Sequence, residues 1–117
     1  MNDNAILGKS KDFALRIIRL YRYLVDIKHE YVLSKQLLRS GTSIGANTRE
    51  ATRGYSKPDF YSKLGIALKE ADESAYWLEL LYESSIIDED QFQSIYKDCD
   101  EIISLLVAIK KTQKTTR

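Results

Sequence analysis

The stretch PDFYSKLGIALKEADESAYWLELLYES, residues 58–84, carries the clearest structural signal in this chain of 117 residues. Its apolar residues recur every three or four positions, which is the period of an α-helix with one buried side. The predicted core positions are Phe60, Leu64, Ala67, Leu68, Ala71, Ala75, Leu78 and Tyr82. Pro58 suits the first turn of a helix, and Asp59 adds favourable negative charge there. The stretch therefore predicts a long amphipathic helix.

The same period appears in three other segments, which predict helices over about 9–28, 31–53 and 88–111 in addition to 58–84. Asp88 followed by Gln91 resembles a capping box at the start of the last helix. Residues 112–117 form a polar tail, and no alternating strand pattern extends beyond a few residues. Four long helices with short connections predict an all-α chain, a single domain over 1–117 that folds as an antiparallel, up-down-up-down four-helix bundle.

Two glycines, Gly41 and Gly45, fall inside the second predicted helix. Each lowers intrinsic helix propensity by about 1 kcal/mol relative to alanine. Either a neighbouring helix approaches closely at this point, or the helix breaks near Gly41.

The residue counts exclude several classes of site. Cys99 is the only cysteine and His29 the only histidine, which excludes a disulfide framework, a cysteine-based zinc site and a di-iron bundle with paired Glu-x-x-His motifs. The sequence has no glycine-rich phosphate loop and no nucleophile elbow, so we expect no enzymatic activity, no metal and no cofactor.

The start of the chain lacks a signal-peptide pattern, and the longest apolar block, 102–109, is too short to span a bilayer. We therefore expect a cytoplasmic protein with no membrane partner.

Charge is distributed unevenly, although the net charge is only +1. Residues 1–53 and 101–117 carry net positive charge, whereas residues 54–100 carry net negative charge. Such a distribution is typical of a nucleic-acid-binding face, of complementary faces in self-association, or of neighbouring helices that neutralise each other.

A basic stripe is predicted on one side of the second helix and consists of Lys35, Arg39, Arg49 and Arg53. The first helix adds Arg16, Arg19 and Arg22 as a candidate extension. Lysines and arginines in a row can bind the phosphates of a nucleic acid and release its counterions. The alternatives are a solvated helix face or ion pairs with the acidic third helix.

A second apolar strip lies off the core stripe of the third helix and consists of Ile66, Trp77 and Leu80, with Tyr76 beside it. Aromatic residues are favoured anchors in protein interfaces, so the strip predicts a subunit interface. Packing against a loop or the chain ends is the alternative.

Asn47 and Glu50 lie one turn apart between the apolar and basic sides of the second helix. We interpret both as structural polar residues, and a ligand-contacting role is the alternative.

Three stretches resemble a known family: QLLRSGTSIGANTREA at 36–51, Ser56 with Phe60, and IALKEADESAYWLEL at 66–80. They are similar to the four-helix-bundle family of bacterial 23S rRNA intervening-sequence proteins, and the resemblance covers residues 13 to about 109. Its most specific parts are Arg39-Ser40, Ser43-Ile44, Asn47, Glu50 and Tyr76-Trp77-Leu78.

The resemblance implies a bundle that assembles as a homopentamer, and it lends no catalytic residues. A related branch is the accessory protein of diversity-generating retroelements, a basic pentamer that binds nucleic acid and a reverse transcriptase; this chain is nearly neutral by comparison. Two hypotheses follow. The first is a non-enzymatic oligomer that binds RNA or a nucleic-acid-associated protein through a repeated basic surface. The second is a protein-interaction scaffold without nucleic-acid affinity.

Overall fold

Four α-helices make up the computed structural model of the protein, which describes residues 3–114. They are α1 (Asp3–Asp26), α2 (Leu33–Thr52), α3 (Lys57–Glu83) and α4 (Glu89–Lys111), and a 3-10 turn, Thr112–Lys114, follows. Over these residues the chain contains no strand, so the prediction of an all-α chain with four helices is confirmed. Part of the predicted polar tail, residues 115–117, lies outside the described residues. Among residues 3–114, none of the helices is long and apolar enough to cross a membrane.

Helix α1 begins at Asp3, six residues before the predicted start at 9. The reason is Ile6, which is only 1% exposed and packs in the same core as Phe13 and Ile17. The apolar spacing of α1 therefore continues across Gly8, where an added Cβ would meet no atom within 4 Å, so no close contact requires this glycine. At the other end the helix stops at Asp26, and His29 takes a positive φ of 56° in the turn that leads to α2.

Each helix packs against the next along the chain, and α1 also packs against α4. Fully buried side chains come from all four helices: Phe13, Ile17, Leu24, Leu37, Ile44, Leu64, Leu78, Leu81, Ile102 and Leu106. This arrangement places one apolar core between the helices, as in a helix bundle.

The buried side of α3 is broader than its predicted stripe. Phe60, Leu68 and Tyr82 are only partly buried, whereas Tyr61, Ser74 and Leu81 are buried. Because α3 packs against both α2 and α4, it buries positions on two sides. Ser74 is tolerated there since its hydroxyl lies 2.8 Å from that of Ser40 on α2 and donates to the carbonyl of Glu70.

Gly41 marks a close approach of α2 to α1, and the helix does not break. A Cβ atom at Gly41 would lie 2.8 Å from Cγ1 and 2.9 Å from Cγ2 of Ile17, which is fully buried. At Gly45 a Cβ would lie 3.4 Å from the carbonyl oxygen of Ser10, which is an ordinary van der Waals contact, so the close approach is at Gly41. The first of the two explanations, close approach of a neighbouring helix, is therefore correct.

We predict opposite effects for two glycine-to-alanine substitutions. Overpacking costs about 1–3 kcal/mol, and alanine recovers about 1 kcal/mol of helix propensity. Gly41→Ala is therefore expected to lower the free energy of unfolding by up to about 2 kcal/mol. Gly8→Ala in α1, where no atom lies within 4 Å of an added Cβ, is the matched control and is expected to raise it by about 0.5–1 kcal/mol. Urea unfolding measures both, and equal shifts for the two variants would contradict the close approach.

The start of α2 is capped by Glu30, a role that the sequence analysis missed. The N-cap residue, Val32, has no side chain that can accept a hydrogen bond. The Glu30 carboxylate instead accepts hydrogen bonds from the backbone N–H groups of Val32, Leu33 and Ser34, at 3.2, 3.0 and 2.7 Å. Burial works to raise the pKa of Glu30, but these hydrogen bonds outweigh it and hold the pKa below its ordinary value of 4.5.

Glu30→Gln is expected to destabilise the protein in a pH-dependent way. Loss of a cap costs about 0.5–2 kcal/mol. Because the folded-state pKa is lowered, the contribution of the carboxylate is complete above 4.5 and is lost as the pH falls through that lower value. Urea unfolding of both proteins at pH 7 and pH 3 checks this. A stability difference that stays the same at the two pH values would show that the charge of Glu30 contributes nothing.

Candidate nucleic-acid interface

The basic residues of α2 fall into two groups with different surroundings. Arg39 binds α3: its Nη1 lies 3.2 Å from Oε1 of Glu70, and its Nη2 lies 2.5 Å from Oε1 of Glu73. Partial desolvation works to lower the pKa of Arg39, but the two carboxylates raise it on balance. Arg39 is therefore neutralised by the acidic third helix, whereas Lys35, Arg49 and Arg53 are exposed and have no ion-pair partner among the described side chains.

The arginines of α1 do not all lie beside α2. Arg16 binds α4, with Nη1 at 2.5 Å from Oδ2 of Asp98 and Nη2 at 2.8 Å from the hydroxyl of Ser94. Arg19 lines a cavity of about 250 Å³ together with Arg16 and residues of α4. The structure therefore places Arg16 and Arg19 apart from the α2 stripe, and Arg22 is exposed farther along α1.

Arg49 and Arg53 lie in a groove between α1 and α2, where Lys11 joins them. This α1/α2 groove has a volume of about 550 Å³. Its lining residues are Leu7, Gly8, Ser10, Lys11, Ala14, Thr42, Gly45, Ala46, Arg49, Thr52 and Arg53. Three of these carry positive charge and none is a carboxylate. Its small lining residues, Gly8, Ala14, Gly45 and Ala46, have short side chains or none, so they leave the space between the two helices open.

The groove belongs to a larger basic region. Contacts join the last turns of α2, the first turns of α3 and the last turn of α4: Glu50 binds Lys63 at 3.1 Å, and Lys110 donates to the carbonyl of Tyr61 at 3.1 Å. We call residues 5–11, 45–65 and 104–113 together the basic end. It contains eight lysines and arginines against two carboxylates, Glu50 and Asp59. Lys63 is paired with Glu50 and Lys9 with Glu101, and the other six cations have no ion-pair partner among the described side chains, so an anionic partner meets net positive charge here.

Sequence reasoning missed two residues of this region, Lys11 and Tyr55. Lys11 lies on α1, far along the chain from Arg49, and only helix packing brings the two together. Tyr55 lies in the connection between α2 and α3 and is fully exposed. Its signal in the sequence was an aromatic residue in a polar connection flanked by Arg53 and Lys57.

The apolar strip of α3 is only partly covered. Ile66 and Tyr76 are 40% and 53% exposed, and Trp77 and Leu80 are half-buried. The indole N–H of Trp77 is buried and has no hydrogen-bond partner among the described residues. A buried donor without a partner costs about 1–3 kcal/mol, so an acceptor supplied by another molecule would stabilise this surface.

Asn47 and Glu50 both bind within the chain. The amide of Asn47 donates to the carbonyl of Ser43, one turn earlier, at 2.9 Å. Glu50 binds Lys63 as described above. Neither side chain lines the α1/α2 groove.

Cys99 is buried in the core, where its Sγ donates to the carbonyl of Ala71 at 3.4 Å. Burial, followed by the neighbouring carboxylates, raises the pKa of its thiol to about 12, so the reactive thiolate is not formed near neutral pH. Across the described residues, no three His, Cys, Asp or Glu side chains come together in a way that could hold a metal ion.

Comparisons with known proteins identify the family to which this chain belongs. The family model for the 23S rRNA-intervening sequence protein matches residues 2–108. The chain superposes with a TM-score of 0.94 on a crystal structure of a protein with unknown function from the S23 ribosomal protein family of Bacteroides thetaiotaomicron VPI-5482. The two sequences are 54% identical, and the match covers 96% of this chain and 100% of that chain. No curated protein matches the sequence. The chain therefore belongs to the 23S rRNA-intervening sequence protein family.

Proposed function

We propose that the protein is a non-enzymatic homo-oligomer that binds RNA, alone or in an RNA–protein complex, through the α1/α2 groove. The observation that carries the proposal is the lining of that groove. Lys11, Arg49 and Arg53 all reach it, and no carboxylate does. The cytoplasm, the compartment expected from the sequence, supplies such RNA.

The charges of the groove favour phosphate as the group that is bound. Lys11, Arg49 and Arg53 have no ion-pair partner among the described side chains, so they need not release a carboxylate before they bind a phosphate. Each phosphate contact releases condensed counterions, which drives binding at moderate salt. A net charge of +1 does not oppose this, because exposed charges farther away than about 8 Å are largely screened at physiological salt.

The proposal includes an antiparallel, up-down-up-down order of the helices. It is supported by the pairs between α2 and α3, in which Arg39 binds Glu70 and Glu73 while Glu50, later in α2, binds Lys63, earlier in α3. This order also accounts for a groove that joins the first turns of α1 to the last turns of α2.

The proposal also includes assembly into a ring of five subunits, as the family resemblance implies. A ring would repeat the α1/α2 groove around its axis. Linked weak sites raise the overall affinity by a factor of about 10²–10⁴ when one RNA can reach several of them. Three cations per subunit, which bind RNA weakly on their own, then act together with those of the other subunits on one RNA.

A scaffold that binds only proteins is the second candidate, and the apolar strip of α3 favours it. Ile66 and Tyr76 are exposed, and the indole N–H of Trp77 lacks an acceptor within the described chain. A partner protein or a second copy would cover the two side chains and supply the acceptor. This candidate requires no affinity for nucleic acid.

Fluorescence anisotropy of labelled RNA across a salt series decides between the two. If three phosphates are bound per subunit, the logarithm of the affinity falls linearly with the logarithm of the salt concentration, with a slope of about −2 or steeper for each engaged subunit. No binding even at low salt would overturn the RNA proposal and leave the scaffold.

A further inference from the structure

The connection between α2 and α3 presents an aromatic ring to solvent. Tyr55 is fully exposed, and it forms no hydrogen bond and no ring contact with the described residues. It follows Gly54 and precedes Ser56, the N-cap of α3. The ring therefore contributes nothing to the core, and its removal leaves the packing of the bundle unchanged.

Basic residues flank Tyr55 along the chain. Arg53 lies two residues before Tyr55 and Lys57 two residues after it, and Arg49 lies one helical turn before Arg53. None of the three has an ion-pair partner among the described side chains. The nearby carboxylates are Glu50, which binds Lys63, and Asp59, which lies in the first turn of α3.

An exposed aromatic ring beside unpaired cations has the chemistry of a single-stranded nucleic-acid site. Such sites bind phosphates with lysine or arginine and stack bases on aromatic side chains. In a fully paired RNA helix the bases are already stacked on one another, so a ring at the protein surface reaches only unpaired bases. A ring intended for a protein interface would be expected beside apolar neighbours, whereas the neighbours of Tyr55 are polar or basic.

We propose that Tyr55 stacks on an unpaired base of an RNA whose phosphates are bound by Arg49 and Arg53. The protein then prefers RNA with a loop, a bulge or a single-stranded end over fully paired RNA. This inference rests on the proposed function and names the kind of RNA that the α1/α2 groove and its adjoining connection recognise.

The test compares two labelled RNAs that carry the same number of phosphates, a hairpin with an unpaired loop and a blunt duplex, in fluorescence anisotropy at one low salt concentration. Wild-type protein is expected to bind the hairpin more tightly. Tyr55→Ala is expected to weaken hairpin binding by about 5- to 100-fold, because that is the contribution of stacking one base on an aromatic side chain. The same variant is expected to leave duplex binding unchanged. Tyr55→Phe keeps the ring and is expected to bind the hairpin within about twofold of wild type.

Two results would overturn the inference while the proposed function stands: equal wild-type affinity for both RNAs, or a Tyr55→Ala effect of the same size on both. Arg49→Glu separates these cases from a failure of the function, because it should weaken binding to both RNAs. If wild-type protein binds neither RNA, the proposed function and the inference fail together.

Discussion

Reversal of two charges in the groove, Arg49→Glu together with Arg53→Glu, is expected to reduce RNA affinity by at least 100-fold at physiological salt. Hydrogen bonds to charged groups contribute about 1.5–3 kcal/mol each, which corresponds to a change in the dissociation constant of about 10- to 100-fold for each lost contact. Both side chains are exposed and lie outside the core, so the fold is expected to survive. The salt dependence should also weaken, since each lost phosphate contact reduces the slope by about 1.

Lys35→Glu is the matched control for the double variant. Lys35 carries the same unpaired positive charge on the same helix, but it lies 14 residues before Arg49, about 21 Å along the helix axis. That distance exceeds the screening length at physiological salt. Lys35→Glu is therefore expected to change the affinity by less than about threefold at that salt. If Lys35→Glu weakens binding as much as the groove variants do, the surface bound by RNA is the whole predicted stripe rather than the groove.

Trp77→Asp is expected to dissociate the oligomer or to raise its dissociation constant by about 30- to 1,000-fold. This range corresponds to the loss of an interface anchor that contributes about 2–4 kcal/mol to the binding free energy. Asp places a charge where the strip of α3 would meet another subunit. Light scattering of the purified protein, read as molar mass against concentration, measures the change. Trp77→Phe keeps an aromatic ring but removes the unpartnered N–H, so it tests whether an acceptor on another subunit binds that group.

Because Trp77 is half-buried, Trp77→Asp can also destabilise the subunit, and Ile66→Asp provides a second test. Ile66 is 40% exposed on the same strip, and its substitution does not open the core. The matched control is Val107→Asp on α4, where an apolar side chain is 37% exposed. We expect Ile66→Asp to lower the mass and Val107→Asp to leave it unchanged. Wild-type mass for both strip variants would show that this face of α3 is not the interface.

The two sets of variants separate the proposed roles of the two surfaces. Groove variants should bind RNA more weakly while the molar mass of the assembly stays that of wild type. Strip variants should have a lower molar mass because their primary effect is on subunit association. In the ring proposal, strip variants also lose RNA affinity, because avidity disappears when the grooves are no longer linked. A strip variant that is monomeric yet binds RNA as tightly as wild type would show that one groove is sufficient.

Several features of the fold were predictable from local sequence because they depend on neighbours along the chain. The 3.6-residue period marked all four helices, and the Asp88–Gln91 capping box forms as predicted, with both of its hydrogen bonds present. The start of α1 was missed because Gly8 interrupts the pattern, although Ile6 before it is buried. The cap of α2 was missed because Glu30 lies two residues before the N-cap position and acts through a turn in which His29 has a positive φ.

The sequence by itself determined which side of each helix is apolar, since burial follows the helical period, and it identified the family through stretches of α2 and α3. Only the tertiary structure decided which charges are available to a partner. Arg39 and Arg16 belong to basic patterns in the sequence, yet α3 and α4 neutralise them. Lys11, far from Arg49 along the chain, joins it in one groove because α1 packs against α2, so closely at Gly41 that a Cβ there would clash with Ile17. The physical reason is that ion pairs and grooves form between helices, and their partners are set by packing rather than by spacing along one helix.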